Sequence, residues 1–355
     1  MKYIICFLGL TILLSCEQKE SLDFLPTDNE KDFQVFNIKA GRDTVLTGVK
    51  GSILKFKANS FQTNNGQDVQ GQIELQVKEF YTVEDFIHNR LSTKTLDGRI
   101  LRSSGMLFLQ ARSDTTVLQL KGDHPMTIMF PCVVKSTTAN LFSGQKGSNE
   151  EIKWALLEPV HNDTITLRKE TEKSRNGRTK VLVELEFVVG NDTIELNEEN
   201  RKDFEKIIKG LPKDSVSERM RYNGIWYNPY DIDPNRFYIF KTTKLGYLNC
   251  DIFINDEVYD FAIKLNNANS DLFIVLDSLN SVLYPDSIVK ATNEYLFSIP
   301  KGISISVVAY RKYDGKHYLG IERIKSSSLN LEVKQIESSL DKIREEIKKL
   351  SENTR

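Results

Sequence analysis

Short runs in which apolar and polar positions alternate dominate the first third of the chain. They are Val35-Phe36-Asn37-Ile38, Ser52-Ile53-Leu54-Lys55-Phe56, Gln72-Ile73-Glu74-Leu75-Gln76-Val77, Met106-Leu107-Phe108-Leu109, Val117-Leu118-Gln119-Leu120 and Met126-Thr127-Ile128-Met129-Phe130. A period of two puts successive side chains on opposite faces of a strand, one toward a core and one away from it. Asn65-Gly66, Asp97-Gly98 and Lys121-Gly122-Asp123 supply turn residues between the runs. The pattern predicts a β-sandwich over residues 32–160.

Residues 161–220 read as a connector. Thr164-Ile165-Thr166-Leu167 and the run from Val181 to Val188 flank a charged stretch and predict a long hairpin, and Phe204, Ile207 and Ile208 share one face of a predicted helix over 198–209. Alternation resumes in residues 221–326, with Phe237-Tyr238-Ile239-Phe240, Val258-Tyr259-Asp260-Phe261, Asp271-Leu272-Phe273-Ile274-Val275-Leu276 and Ser304-Ile305-Ser306-Val307-Val308 as the main runs. A second β domain is expected there. In residues 327–355 the period changes. Leu329, Val333, Ile336, Leu340, Ile343, Ile347 and Leu350 recur at spacings of four and three, which predicts an amphipathic helix that either docks on its own domain or forms a homo-oligomeric seam. The expected fold class is therefore mainly β, two sandwiches and a terminal helix.

The N-terminus follows another logic. Lys2 precedes an apolar run over residues 3–14, too short for the roughly 20 residues a membrane-spanning helix needs but of signal-peptide length. Leu13-Leu14-Ser15-Cys16 resembles the lipobox of bacterial lipoproteins, which implies a signal peptide over 1–15 and lipid on Cys16. Residues 16–31 are polar and acidic and read as a tether between a membrane and the folded body.

Lys and Arg total 48 and Asp and Glu 49, a formal net charge of −1, so no global field draws nucleic acid and no nucleic-acid partner is expected. Besides Cys16, the mature chain would keep Cys132 and Cys250, which read as buried apolar side chains or one bridge.

Gly51 to Phe56, Asn59-Ser60-Phe61, Gly66, Val69-Gln70-Gly71-Gln72-Ile73, Ser104-Gly105-Met106 and Met126 to Pro131 together resemble the ZU5-type β-sandwich of Bacteroidota outer-membrane lipoproteins, over residues 35–131. Ala58 departs from that pattern, which has Pro there. The resemblance implies protein interaction or scaffolding rather than catalysis. Lys244 to Asp251 looks like a segment of the same lipoproteins.

Candidate chemistry is sparse. His88, His124, His161 and His317 sit in unrelated contexts without metal or triad spacing, and Ser104-Gly105 lacks the preceding glycine of a nucleophile elbow. Asp231, Asp233 and Asn235 offer hard oxygens to a cation, but two prolines beside them also fit a surface turn. Tyr222, Trp226, Tyr227, Tyr230, Phe237, Tyr238, Phe240 and Tyr247 form an aromatic cluster that fits either a sugar-stacking patch or core. An Asp-Ser/Thr triplet recurs and resembles the O-glycosylation motif of exported Bacteroidota proteins. Its hydroxyls are Thr44, Thr115, Thr164, Thr193, Ser215, Ser278 and Ser287, although a turn Asp leading into a strand gives the same letters. No cofactor is expected. The leading expectation is a membrane-anchored, non-enzymatic binding or scaffold lipoprotein of the cell envelope with a protein partner. The alternative is a carbohydrate-binding or glycan-processing lipoprotein using Asp231 and Asp233.

Overall fold

The computed structural model describes residues 33–132, 139–147, 151–157, 237–267, 270–326 and 330–352, together with the backbone of seven short strands between residues 165 and 227. The protein is mainly β, as the alternation predicts. The first half contributes β1 (Gln34–Lys39), β2 (Thr44–Thr47), β3 (Ile53–Phe56), β4 (Phe61–Thr63), β5 (Gln72–Phe80), α1 (Val83–His88), β6 (Leu91–Thr95), β7 (Leu101–Ser113), β8 (Thr116–Leu120), β9 (Met126–Pro131), β10 (Asn140–Lys146) and β11 (Ile152–Leu156).

In the connector, β12 (Ile165–Thr166) pairs with β15 (Phe187–Val189), and β13 (Glu170–Lys173) pairs with β14 (Thr179–Leu182) between them, the nested arrangement of a long hairpin. The strand β16 (Asp192–Ile194) extends it, and β17 (Met220–Tyr222) pairs with β18 (Ile225–Tyr227). The helix expected over 198–209 lies outside the described residues.

The last part supplies β19 (Phe237–Thr242), β20 (Gly246–Phe253), β21 (Val258–Leu265), β22 (Asp271–Leu276), β23 (Ser281–Leu283), β24 (Ser287–Val289), β25 (Glu294–Pro300), β26 (Ser304–Tyr313), β27 (Lys316–Lys325), β28 (Asn330–Val333), β29 (Ile336–Glu337) and α2 (Leu340–Glu352). Two boundaries read from the sequence move. First, β19 and β20, expected in the second domain, complete the first sandwich. β20 lies between β7 and β10 in a nine-stranded sheet of order β1-β5-β7-β20-β10-β11-β6, with β8 paired to β7 and β4 paired to β8, and β19 is the edge of the facing sheet β19-β9-β3-β2. Both pair with strands more than a hundred residues upstream, which local periodicity does not encode. Second, the terminal helix begins only at Leu340. Residues 330–333 form β28, parallel to β21, where Val333 is buried opposite Leu265. A partner strand takes this stretch from the helix because its own alternation fits a sheet edge equally well.

The second sandwich comprises the sheets β24-β25-β21-β28 and β23-β22-β26-β27-β29. Three apolar cores lie between successive layers. Leu54, Phe56, Leu75, Leu107, Leu109, Ile128, Phe130 and Leu248 fill the first sandwich. Phe261, Ile263, Leu272, Ile274, Phe297, Ile305 and Val307 fill the second. Between them, Phe80, Phe86, Leu101, Met106, Phe142 and Trp154 from the nine-stranded sheet and α1 meet Phe273, Val275, Val308, Tyr310 and Leu319 from the five-stranded sheet, with Ile343, Ile347 and Leu350 of α2 in the same core. The two sandwiches are thus one stack rather than two beads. Residues alternate between cores strand by strand: Leu107 and Leu109 face the first, Met106 the junction. Among the described residues no helix is long and apolar enough to cross a membrane.

Candidate functional site

The buried polar side chains concentrate at the junction between the sandwiches. The helix α1 opens it. Thr82 caps the helix by accepting from Asp85 N at 3.2 Å, and Asp85 Oδ2 accepts from Thr82 N at 3.0 Å, a capping box that stops the chain leaving β5 and turns it across the nine-stranded sheet. Arg90, at φ 51°, ends the turn and starts β6.

The sequence of β6, Leu91-Ser92-Thr93-Lys94-Thr95, is polar, yet all five residues are buried between β11 and the second sandwich. Side-chain hydrogen bonds make this tolerable for Thr93, Lys94 and Thr95. Thr93 Oγ1 lies 2.5 Å from Ser281 Oγ and accepts from Val282 N at 2.9 Å. Lys94 Nζ donates to both oxygens of Asp286, at 2.5 and 2.6 Å. Ser92 offers its carbonyl to the buried Trp154 Nε1.

On either side stand two further clusters. Arg90 donates to Asp271 Oδ2 at 3.1 Å and lies 5.4 Å over the Tyr284 ring. Burial raises Asp271 above the usual carboxylate range against the pull of Arg90, and burial likewise pushes the Tyr284 phenol up. Glu151, fully buried, meets Lys153 Nζ at 3.3 Å; among the described residues neither the Glu151 carboxylate nor the Tyr284 hydroxyl has a hydrogen-bond partner. In the other cluster, Asn280, at φ 46° in the turn between β22 and β23, donates from Nδ2 to the carbonyls of Tyr81 at 3.3 Å and Ser103 at 3.2 Å. Beside it, Ser104 and Gly105 form a bulge in β7 opposite Cys250, and a side chain at Gly105 would collide with the Tyr81 ring. Asp251 accepts from Asn249 Nδ2 at 2.6 Å and from Ser104 N at 3.3 Å, and burial pushes its carboxyl up to about 8.

At the open end α2 closes the junction. Ile343, Ile347 and Leu350 are buried in the junction core, and Ser351 Oγ accepts from Glu84 N at 2.7 Å, satisfying a first-turn amide of α1 that the helix itself leaves open. The apolar stripe of the terminal helix is therefore covered by its own chain. Thr93, Lys94, Arg90 and Asn280 each bond a group on the other sandwich, and these contacts tie the two β layers together.

The residues singled out by sequence fall elsewhere. Asp231, Asp233, Asn235, Tyr230 and His161 lie outside the described residues, as do Cys16, Thr164 and Ser215; of Tyr222, Trp226, Tyr227 and Thr193 only the backbone is described. No cluster of His, Cys, Asp and Glu able to hold a metal occurs among the described residues. Phe237, Tyr238 and Phe240 are buried, and Tyr247 packs against Phe80 and Phe108, which makes these four aromatics packing rather than a sugar platform. Cys250 is a buried core thiol, and Cys132 packs partly buried against the same core; they form no bridge. Ser104 sits in the bulge. Of the triplet hydroxyls, Thr115, Ser278 and Ser287 are exposed and Thr44 is half-buried. Their aspartates have structural work: Asp43 accepts from Ala58 N at 2.8 Å, Asp277 from Ser306 Oγ at 2.8 Å, and Asp286 from Lys94 and Ser298 N. Nothing in the letters marks β6 as buried, whereas Thr82-Val83-Glu84-Asp85 carries the capping-box spacing from which α1 is readable.

A scan against protein-family models, a search of curated proteins and a search of solved structures each return no match.

Proposed function

We propose that the chain is a lipid-anchored, non-enzymatic binding or scaffold module of a cell envelope, tethered through Cys16 and presenting its two-sandwich stack to a protein partner. The observation that carries this reading is the junction: the buried charged and hydroxyl side chains lock two sandwiches into one body. A partner docking on such a stack meets surfaces at fixed separation, which lowers the ordering cost of binding. The resemblance of residues 35–131 to ZU5-type domains points the same way, and the exposed hydroxyls of Thr115, Ser278 and Ser287 stand where glycan attachment would be sterically open.

The test is affinity capture from solubilised envelopes with the full lipidated protein, alongside a retention assay on immobilised glycans. One recurrent protein partner recovered from crosslinked cells is the expected result. Repeated capture of none, with retention or turnover of a glycan, replaces the proposal by the carbohydrate reading.

A further inference from the structure

The exposed apolar side chains of the described residues include one that the fold holds outward on a rigid support. Val49 is 81% exposed, more than any other large hydrophobic residue among those described. It sits at the tip of the tight turn between β2 and β3, with Gly48 and Gly51 on either side. The turn is closed by Gly48 N to Ser52 O at 2.8 Å and Gly51 N to Gly48 O at 3.0 Å, with Gly51 at φ 98°.

Buried Glu79 organises this turn from beneath. Its carboxylate accepts from Lys50 N at 2.8 Å, Ser52 N at 3.0 Å and Gln34 Nε2 at 3.0 Å. Any side chain at Gly48 would run into that carboxylate at 2.3 Å. Gln34 Oε1 in turn accepts from Val49 N at 2.8 Å, and Lys50 Nζ reaches Asp85 at 2.7 Å. Charge-assisted bonds to backbone amides are strong, and two of them, together with the Gln34 bond to Val49 N and the Lys50–Asp85 pair, leave the turn little freedom to fold Val49 away. The apolar tip is preorganised outward.

The position of the tip decides what would cover it. Gln34, bonded to Val49, opens β1, the first strand of the body, so the tip stands beside the point where the chain enters the fold. Residues 17–33 alone separate Cys16 from Gln34, a reach of no more than about 65 Å when fully extended. We infer that the turn at residues 48–51 is a membrane-contact point, Val49 entering the lipid interface of the leaflet that holds Cys16, an inference that rests on the anchor reading above. One valine buries too little surface to bind a free protein to lipid, but a tethered body faces a high effective concentration of membrane and needs only an orienting contact.

The experiment uses the full lipidated protein in vesicles of phosphatidylethanolamine and phosphatidylglycerol, part of which carries an acyl-chain nitroxide. An environment-sensitive thiol probe is placed at Val49→Cys or, as a control on the outer sheet of the second sandwich, at Asp260→Cys, both in a Cys132→Ser background. Quenching of about twofold or more at position 49 with little at 260 is expected. No quenching at 49, or equal quenching at both, overturns the inference while leaving the anchor intact. Flotation of Cys16→Ala with the vesicles as efficiently as the parent protein overturns the anchor reading and takes the inference with it.

Discussion

Strand β6, Leu91-Ser92-Thr93-Lys94-Thr95, and strand β22, Asp271-Leu272-Phe273-Ile274-Val275-Leu276, are each buried from end to end, but they tolerate burial by opposite means. β22 is apolar on both faces, with Phe273 and Val275 in the junction core and Leu272, Ile274 and Leu276 in the core of the second sandwich. Beyond Asp271, which Arg90 holds, its stabilisation scales with area and does not depend on the direction of any single contact. β6 keeps the Thr93 hydroxyl and the Lys94 ammonium out of water by giving each a partner on the other sandwich, Ser281 and Asp286. Its stabilisation is directional, and removing one partner orphans the other. The apolar strand therefore supplies adhesion, and the polar strand fixes the register in which the two sandwiches meet.

The largest expected effect is on the apolar side. Phe273→Ala leaves a cavity between the two layers and should cost about 3–5 kcal/mol in urea unfolding; a loss under about 1 kcal/mol would mean that the junction collapses to fill it and that its packing is not specific. Next comes Thr93→Val, nearly isosteric, which orphans Ser281 Oγ and Val282 N and should cost about 2 kcal/mol. Adding Ser281→Ala should return part of that loss. A double-mutant cycle with no coupling would dissolve the distinction between the strands.

The pH dependence of unfolding sharpens it further. Asp251 in the junction, raised to about 8, keeps a proton that the unfolded chain sheds near 3.8, so stability falls as pH rises between those values. Lys55 in β3, lowered by burial to about 7, sheds a proton that the unfolded chain keeps to 10.5, so stability rises across that window. A minimum near pH 7–8 is expected. Asp251→Asn should flatten the acid limb and Lys55→Met the alkaline one, both read from urea midpoints across pH. The smallest effect is Ser351→Ala, about 1 kcal/mol or less, seen as faster hydrogen exchange at Glu84 N. Unchanged exchange there would remove α2 from the account of the junction.

Apolar alternation made the strands of both sandwich cores legible, because in Gln72 to Val77 or Val258 to Leu265 one letter in two reports the buried face. β6 is illegible for the same reason. Its burial is encoded by residues some 190 positions away, Ser281 and Asp286, and Thr or Lys alone gives no sign of that partner. The tail shows a third case. The spacing of Leu340, Ile343, Ile347 and Leu350 does specify a helix, but Val333 and Ile336 continue the same spacing by coincidence and belong to strands paired with β21 and β27. Of the junction, only the cap of α1 and the stripe of α2 were open to reading from the letters.

The placement of β20 in the nine-stranded sheet also sets a clock. Gly246 faces Leu109 on one side of that strand, and Asn140 faces Asp251 on the other. A chain delivered from its N-terminus therefore carries β7 and β10 as unpaired edges until residue 253 arrives. Such edges invite pairing with the wrong chain. Residues 32–160 are consequently no excisable unit: a fragment ending at 160 would lack the strand that seals its own sheet, and should aggregate where the full body of residues 32–355 stays in solution.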